Sequence, residues 1–443
     1  MSKVMDAKYR TSRIINDNPL LLALPEQLSA EELYEAIKSE PVLPEDYKTY
    51  LPRERQELCA LVKELYIPLE YSADIYSALY MGLTSAYAGR TRLLQTKQMS
   101  AIGKAMEYKK YDTIPDSPIQ AESFAVIGEP GMGKTTSVRK LLRLFPQAIQ
   151  HTEFNGVPFD QLQITYLIIE CPINHSEKSV CMQILEKIDE LLDTNFMAEA
   201  VRNKSNVDVL ITRIAQLCTR FCIGAIVIDE IQNVLRINAK NPSSGNHLIR
   251  FLVELANKSG ACLVCVGTTA VSDFFNAEPH LARRTRGPRI PLLSKGETFR
   301  VILQKMWQTL AVLKPIPLNR EIEEEVYKFT GGCIAKMASL LQYAAFEAIF
   351  FGRETVDKEV IQLAARRHDI SARQPVLEPT NIRTFYDNQP AMACKMEKVF
   401  NAKKGRPKKS REPNDIIELF ISAQDTGDDI TLLLKDKGLL WEM

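Results

Sequence analysis

An α/β fold with a parallel-sheet core is the architecture this sequence predicts, and three observations predict it. Residues 124 to 136, FAVIGEPGMGKTT, set a short apolar run before a glycine-rich turn and a helical start. Farther on, Gly224-Ala-Ile-Val-Ile-Asp229-Glu230 is a second apolar run, ending in two acids. Gln163-Ile-Thr-Tyr-Leu-Ile-Ile-Glu170 and Ala261-Cys-Leu-Val-Cys-Val-Gly267 supply two more runs of the same kind. Continuous apolar strands, rather than alternating ones, are what a sheet buried on both faces requires.

The first run carries chemistry. Gly128, four residues, then Gly133-Lys134-Thr135 is the spacing of a phosphate-binding P-loop. Glycines at 128, 131 and 133 are expected to let the backbone bend so that successive N–H groups face phosphate oxygens. The whole cradle is Gly128-Glu129-Pro130-Gly131-Met132-Gly133-Lys134-Thr135-Thr136. Lys134 would reach the β and γ phosphates, the Thr135 hydroxyl would complete a Mg²⁺ shell, and Thr136 would meet the α-phosphate. Ser137 to Leu144 keeps helical spacing with no breaker before Pro146. The expected cofactors are ATP and Mg²⁺.

The second run delivers its acids where a parallel strand ends. Asp229 is expected to hold Mg²⁺ through its water shell, and Glu230 to polarise the attacking water. Two acids after a strand also serve as a helix cap; the P-loop upstream favours the catalytic reading.

Composition sets the bounds. A chain of 443 residues that is 45% apolar has room for more than one folding unit and a real core. A net charge of +1 does not by itself indicate nucleic acid. The first residues contain no apolar signal-peptide core, and no run reaches the roughly 18 apolar residues of a membrane span, so a cytoplasmic chain without a membrane partner is expected. Nine cysteines form no regular framework, which fits reduced thiols. Cys218 with Cys222, and Cys262 with Cys265, invite a metal reading. The second pair lies on a strand, where residues three apart face opposite sides, so packed core thiols are preferred.

Other segments carry candidate functions beside plainer ones. Thr268-Thr269 closes the fourth strand as a polar pair or a simple turn. Leu281-Ala-Arg283-Arg284-Thr-Arg286-Gly-Pro-Arg289 holds four arginines in seven residues, which also describes a solvated basic face. Tyr327-Lys-Phe-Thr330-Gly331-Gly332 reads as a helix and its glycine stop, with a new helix starting near Ile334. Ser29-Ala-Glu-Glu-Leu-Tyr-Glu-Ala-Ile37 begins with a capping-box pattern. Lys178, the pair Arg202 and Lys204, and Lys240 sit in polar segments that suit a DNA backbone or an ordinary surface loop. Residues 403 to 411, KKGRPKKSR, carry six positive charges and no acid; they resemble a minor-groove hook or a basic linker. Asp415 to Ile421 and Ile430 to Lys435 are short amphipathic pieces.

In order, Gly128 to Thr135, Asp229-Glu230, Gly267-Thr268, Ala282-Arg283-Arg284 and Thr330-Gly-Gly332 resemble AAA+ transposition regulators of the TnsC/TniB type, found in Tn7-like elements. Asp17-Asn-Pro-Leu20 with Ala23-Leu-Pro, and Val227-Ile-Asp-Glu-Ile-Gln232, add to the resemblance, which covers roughly residues 10 to 370. It implies an AAA+ P-loop NTPase with a small α-helical lid, a helical N-terminal extension and a partly disordered C-terminal tail. The implied divisions are 1–120 for the extension, 121–293 for the core, 294–370 for the lid and 371–443 for the tail. It also implies roles: Thr268 as sensor 1, Arg283 first and Arg284 second as the arginine finger to a neighbouring subunit, and Lys336 as sensor 2. Arginine is commoner at this last place, and a lysine lacks its bidentate fork. The implied partners are duplex DNA contacted through its backbone, further copies of the chain in a ring or spiral, a TniQ/TnsD-type targeting protein, and TnsA/TnsB-type transposase subunits, in a bacterial cytoplasm. A replication-initiator or clamp-loader-like AAA+ ATPase would share every ATP motif, and a scaffold NTPase would bind nucleotide without DNA.

Overall fold

The computed structural model describes residues 4–15, 17–90, 121–172, 176–235, 243–271 and 286–372. These fall in the unit Met1–Asn388; the second unit, Gln389–Met443, lies outside them, as do the basic and amphipathic segments of the tail.

The chain opens with strand β1 (Val4–Asp6) and helices α1 (Pro19–Leu22), α2 (Ala30–Ile37), α3 (Pro52–Leu58) and α4 (Glu70–Ala88). Strand β2 (Phe124–Gly128) leads into α5 (Lys134–Leu142), then β3 (Ala148–Phe154), β4 (Val157–Ile164) and β5 (Tyr166–Glu170). Helices α6 (Glu177–Leu192), α7 (Phe196–Arg202) and α8 (Val207–Arg220) precede β6 (Ala225–Asp229). Next come α9 (Gln232–Leu235), α10 (Ser243–Ser259), β7 (Cys262–Thr268) and β8 (Arg289–Ile290). The described part closes with α11 (Glu297–Trp307), α12 (Arg320–Thr330), α13 (Ile334–Phe350) and α14 (Lys358–Arg367).

Five strands form one sheet in the order β5-β6-β7-β2-β8, every neighbouring pair parallel. Period-two alternation divides its side chains between two apolar cores. Phe124, Val126, Ala225, Val227, Cys262 and Val264 enter one core, packed with α4, α5 and the C-terminal helices. Ala125, Ile127, Ile226, Ile228, Leu263 and Cys265 enter the other, under α6, α8 and α10. Burial on both faces is why these strands read as unbroken apolar runs. It also puts Cys262 and Cys265 on opposite sides of the sheet, and burial pushes the Cys265 thiol up to about 12. Truncating a fully buried leucine such as Leu79 on α4 would cost about 2–5 kcal/mol.

One reading from sequence changes. The run 163–170 is not one strand: it divides at Thr165, with Gln163 and Ile164 closing β4 and Tyr166 opening β5. Strands β3 and β4 form a hairpin that joins β1 in a separate three-stranded sheet, and Asn155-Gly156 supplies its turn with φ of 51° and 74°. The first 90 residues share an apolar core with one face of the sheet. The phrase Asp17-Asn-Pro-Leu20 forms the buried start of α1, where Asn18 caps the helix and donates 2.7 Å to the Tyr87 carbonyl. The expected capping box at Ser29 is present, with Glu32 returning the bond to the Ser29 N–H. Farther along, α12 ends at Thr330 on a left-handed Gly331, and α13 starts at Ile334.

Candidate nucleotide site

The site is built where β2, β6 and β7 end. The chain leaves β2 at Gly128, turns through residues 129 to 133 and enters α5 at Lys134. Gly131 and Gly133 have φ of 82° and 81°, a left-handed backbone where any side chain adds strain. Gly128 is glycine for another reason. It lies in the strand, and a Cβ there would come within 2.5 Å of the Ile290 carbonyl oxygen on β8.

Lys134 is 9% exposed, and its ammonium donates to the Gly128 and Glu129 carbonyls at 3.0 and 2.9 Å. Burial lowers its pKa, while the nearby carboxylates of Glu230, Asp229 and Glu129 act against that shift. One residue on, the Thr135 hydroxyl donates 3.1 Å to Asp229 Oδ1. Strand β7 separates β6 from β2, so this bond joins the end of β6 to the start of α5 across the end of β7. The same Asp229 oxygen accepts the Glu230 N–H at 2.9 Å. Glu230 then turns at φ of 54°, which costs a non-glycine residue about 1 kcal/mol.

Thr268 closes β7 in register with Gly128. Its backbone N–H donates 3.1 Å to Gln232 Oε1, and the Gln232 amide nitrogen donates to a Glu230 carboxylate oxygen. The structure thus brings Lys134, Thr135, Asp229, Glu230 and Thr268 to one edge of the sheet. Gln232 connects two of them; the sequence shows it as the end of the phrase Val227 to Gln232 and assigns it no role.

Two other supports were not legible. Tyr71 donates 3.0 Å to the Met132 carbonyl of the glycine loop, and Tyr66 donates 2.9 Å to Ser137 Oγ on α5. From the other side, the Ala335 N–H at the start of α13 donates 3.0 Å to the Gly131 carbonyl, and Cys333 Sγ lies 3.5 Å from the Pro130 carbonyl. Lys336 follows on the same helix start, half-buried, with its ammonium on the Ser371 carbonyl rather than on the loop.

The remaining candidates stand apart. Lys178 at the start of α6, Arg202 at the end of α7 and Lys204 in the turn after it are not joined to the nucleotide edge; all three are exposed. Arg283, Arg284 and Lys240 lie outside the described residues. Arg286 and Arg289, from the same basic run, are exposed at the start of the β8 segment.

The Thr135 hydroxyl beside the Asp229 carboxylate is a pair of hard oxygen donors at a helix N-terminus. That donor set fits Mg²⁺, which takes one or two protein oxygens and fills its shell with water and phosphate. Accordingly, the absence of a cluster of three or more His, Cys, Asp or Glu among the described residues is no obstacle.

Residues 119–275 match the family model of the AAA domain. With the five-stranded parallel sheet, the core is an AAA+ P-loop fold. No curated protein matches the chain. Among solved structures it is similar to the ORC2 protein of Aeropyrum pernix, at 12% identity and a TM-score of 0.38 over 63% of this chain and 68% of that one. Cdc6p of Pyrobaculum aerophilum shares 17% identity at a TM-score of 0.40, over 63% of this chain and 67% of that one. ORC of Drosophila, bound to DNA, shares 13% identity at a TM-score of 0.36 over 88% of each chain. No single helix among the described residues is long and apolar enough to cross a membrane.

Proposed function

We propose that this chain is an ATP-hydrolysing switch that assembles on duplex DNA and links target-site selection to transposase recruitment in DNA transposition. The observation that carries the nucleotide part is the Thr135 to Asp229 bond, flanked by Lys134 and Glu230 at one sheet edge.

In this reading the N–H groups of residues 129 to 135 grip the phosphates, and Lys134 exchanges two loop carbonyls for phosphate oxygens. Mg²⁺, held by Thr135 and Asp229, would neutralise charge on the β and γ phosphates. Glu230 accepts a proton from the attacking water, and Thr268 marks the sensor-1 position at the end of β7. Arg283 or Arg284 enters the site of a neighbouring copy, which makes hydrolysis depend on assembly. The start of α13 bonds the glycine loop, so residues 294–370 act as a lid, and Lys336 would leave the Ser371 carbonyl to reach the phosphates as sensor 2.

The DNA part rests on the family resemblance and on the exposed Lys178, Arg202 and Lys204. Lys178, Arg202, Lys204 and Lys240 would follow the phosphate backbone without reading bases, so affinity should fall steeply with salt. The targeting protein and transposase subunits rest on the resemblance alone. Filter binding of a plain duplex with a nonhydrolysable ATP analogue, repeated across salt, tests the DNA reading; absence of ATP-dependent binding at low salt rejects it. A pull-down that recovers replication proteins and neither a TniQ-like protein nor a transposase rejects the transposition role and leaves the ATPase intact.

A further inference from the structure

We infer that Gln232 is a positioning residue for hydrolysis, holding the Glu230 carboxylate at a fixed place relative to the end of β7. The inference rests on the reading of Glu230 as the base that activates water.

The turn that carries Glu230 is anchored on three sides. Ile231 N–H donates 3.0 Å to the Val266 carbonyl, Asn233 N–H donates 2.8 Å to the Glu230 carbonyl, and the Asn233 amide donates 3.2 Å to the Cys171 carbonyl just past the end of β5. These bonds fix the backbone and leave the Glu230 side chain to be aimed. Gln232 aims it. The residue is 7% exposed, and the orientation of its amide follows from its partners. The Thr268 N–H can only donate, so Gln232 must present its oxygen there and its NH₂ to the Glu230 carboxylate. One carboxylate oxygen is then occupied by a neutral donor, and the other is left to accept a proton from water.

Gly267 makes room for this arrangement. A Cβ at 267 would stand 2.9 Å from Gln232 Oε1 and 2.7 Å from Ile231 Cγ2. The base is thereby tied to the backbone of the residue in register with Gly128, the first glycine of the loop. Any shift of β7 against β6 moves the carboxylate, and a displacement of about 1 Å in such a group can cost on the order of 100-fold in rate.

The test measures ATP affinity, turnover and unfolding midpoint for Gln232→Glu and Gln232→Leu in the full chain. Gln232→Glu keeps an acceptor for the Thr268 N–H and sets a carboxylate against Glu230; Gln232→Leu removes both bonds at similar volume. Each should lower kcat by about 10-fold to 100-fold while the ATP Kd stays within about threefold and the unfolding midpoint is retained. In a Glu230→Gln background, Gln232→Leu should lower the residual rate no further. A kcat within about twofold of the parent in both variants overturns the inference, as does a parallel loss of ATP binding and stability in both, or full additivity with Glu230→Gln. If Glu230→Gln alone leaves turnover unchanged, the reading of Glu230 has failed; if it abolishes turnover while both Gln232 variants are active, only the role of Gln232 has.

Discussion

Asp229 at the end of β6 and Glu354 after α13 are both carboxylates set into the protein, yet their partners differ. Glu354 takes both terminal guanidinium nitrogens of Arg55 at 2.6 Å, with the Leu313 N–H at 3.3 Å on one of the same oxygens. Arg55 is 1% exposed and also donates to the Ala311 and Tyr50 carbonyls. That pair cancels its charges in place and fastens α3 to the C-terminal helices. Asp229 instead bonds a hydroxyl and an N–H, and the nearby Lys134 bonds carbonyls instead of carboxylates. Charges that lie close without pairing are arranged for something that enters between them. A closed ion pair is architecture; an open set of charges marks a candidate site.

The comparison can be broken most easily at Lys134. Lys134→Ala should weaken ATP binding by about 100-fold or more, the scale of losing a buried charged partner, and should leave the unfolding midpoint near that of the parent. Equal losses of binding and stability would place Lys134 with the architectural charges. The opposite pattern is expected for the ion pair. Arg55→Ala or Glu354→Ala should destabilise the chain by about 3–5 kcal/mol, read from urea unfolding, with ATP turnover per folded molecule retained.

Acid sharpens the same contrast. Arg55 holds the Glu354 carboxyl below its ordinary value near 4.5, so as pH falls the unfolded chain takes up the proton before the folded one. The stabilisation is complete above that value and is lost as pH falls through the lower folded pKa. Unfolding midpoints followed from neutral pH into the acid range should show this loss in the parent and a smaller one in Glu354→Gln; parallel curves would contradict it. The smallest effect is expected at Tyr71. Tyr71→Phe removes one neutral bond to the Met132 carbonyl and should cost about 1 kcal/mol, with a modest rise in the KM for ATP as the glycine loop loses its brace.

The main sheet was legible because β2, β6 and β7 are buried on both faces and read as unbroken apolar runs. The site was legible because phosphate chemistry fixes the spacing from Gly128 to Thr135 and places acids at a strand end. What could not be read depended on distant pairings. Arg55 and Glu354 are separated by 299 residues, and neither stands in a motif. Tyr71 makes one bond to the glycine loop, and Gln232 bonds the Thr268 N–H and the Glu230 carboxylate; such contacts leave no periodic trace. The hairpin at Asn155-Gly156 did carry a turn signal, hidden because the apolar run at 163–170 passes through the end of one sheet into the start of another.

The most direct test compares the parent with Glu230→Gln for binding and turnover of ATP with Mg²⁺. An open site at the sheet edge predicts that ATP raises the unfolding midpoint of both proteins by the same increment, while turnover in Glu230→Gln falls at least about 100-fold, the scale of losing a general base. Unchanged turnover, or no stabilisation of either protein by ATP, would contradict it.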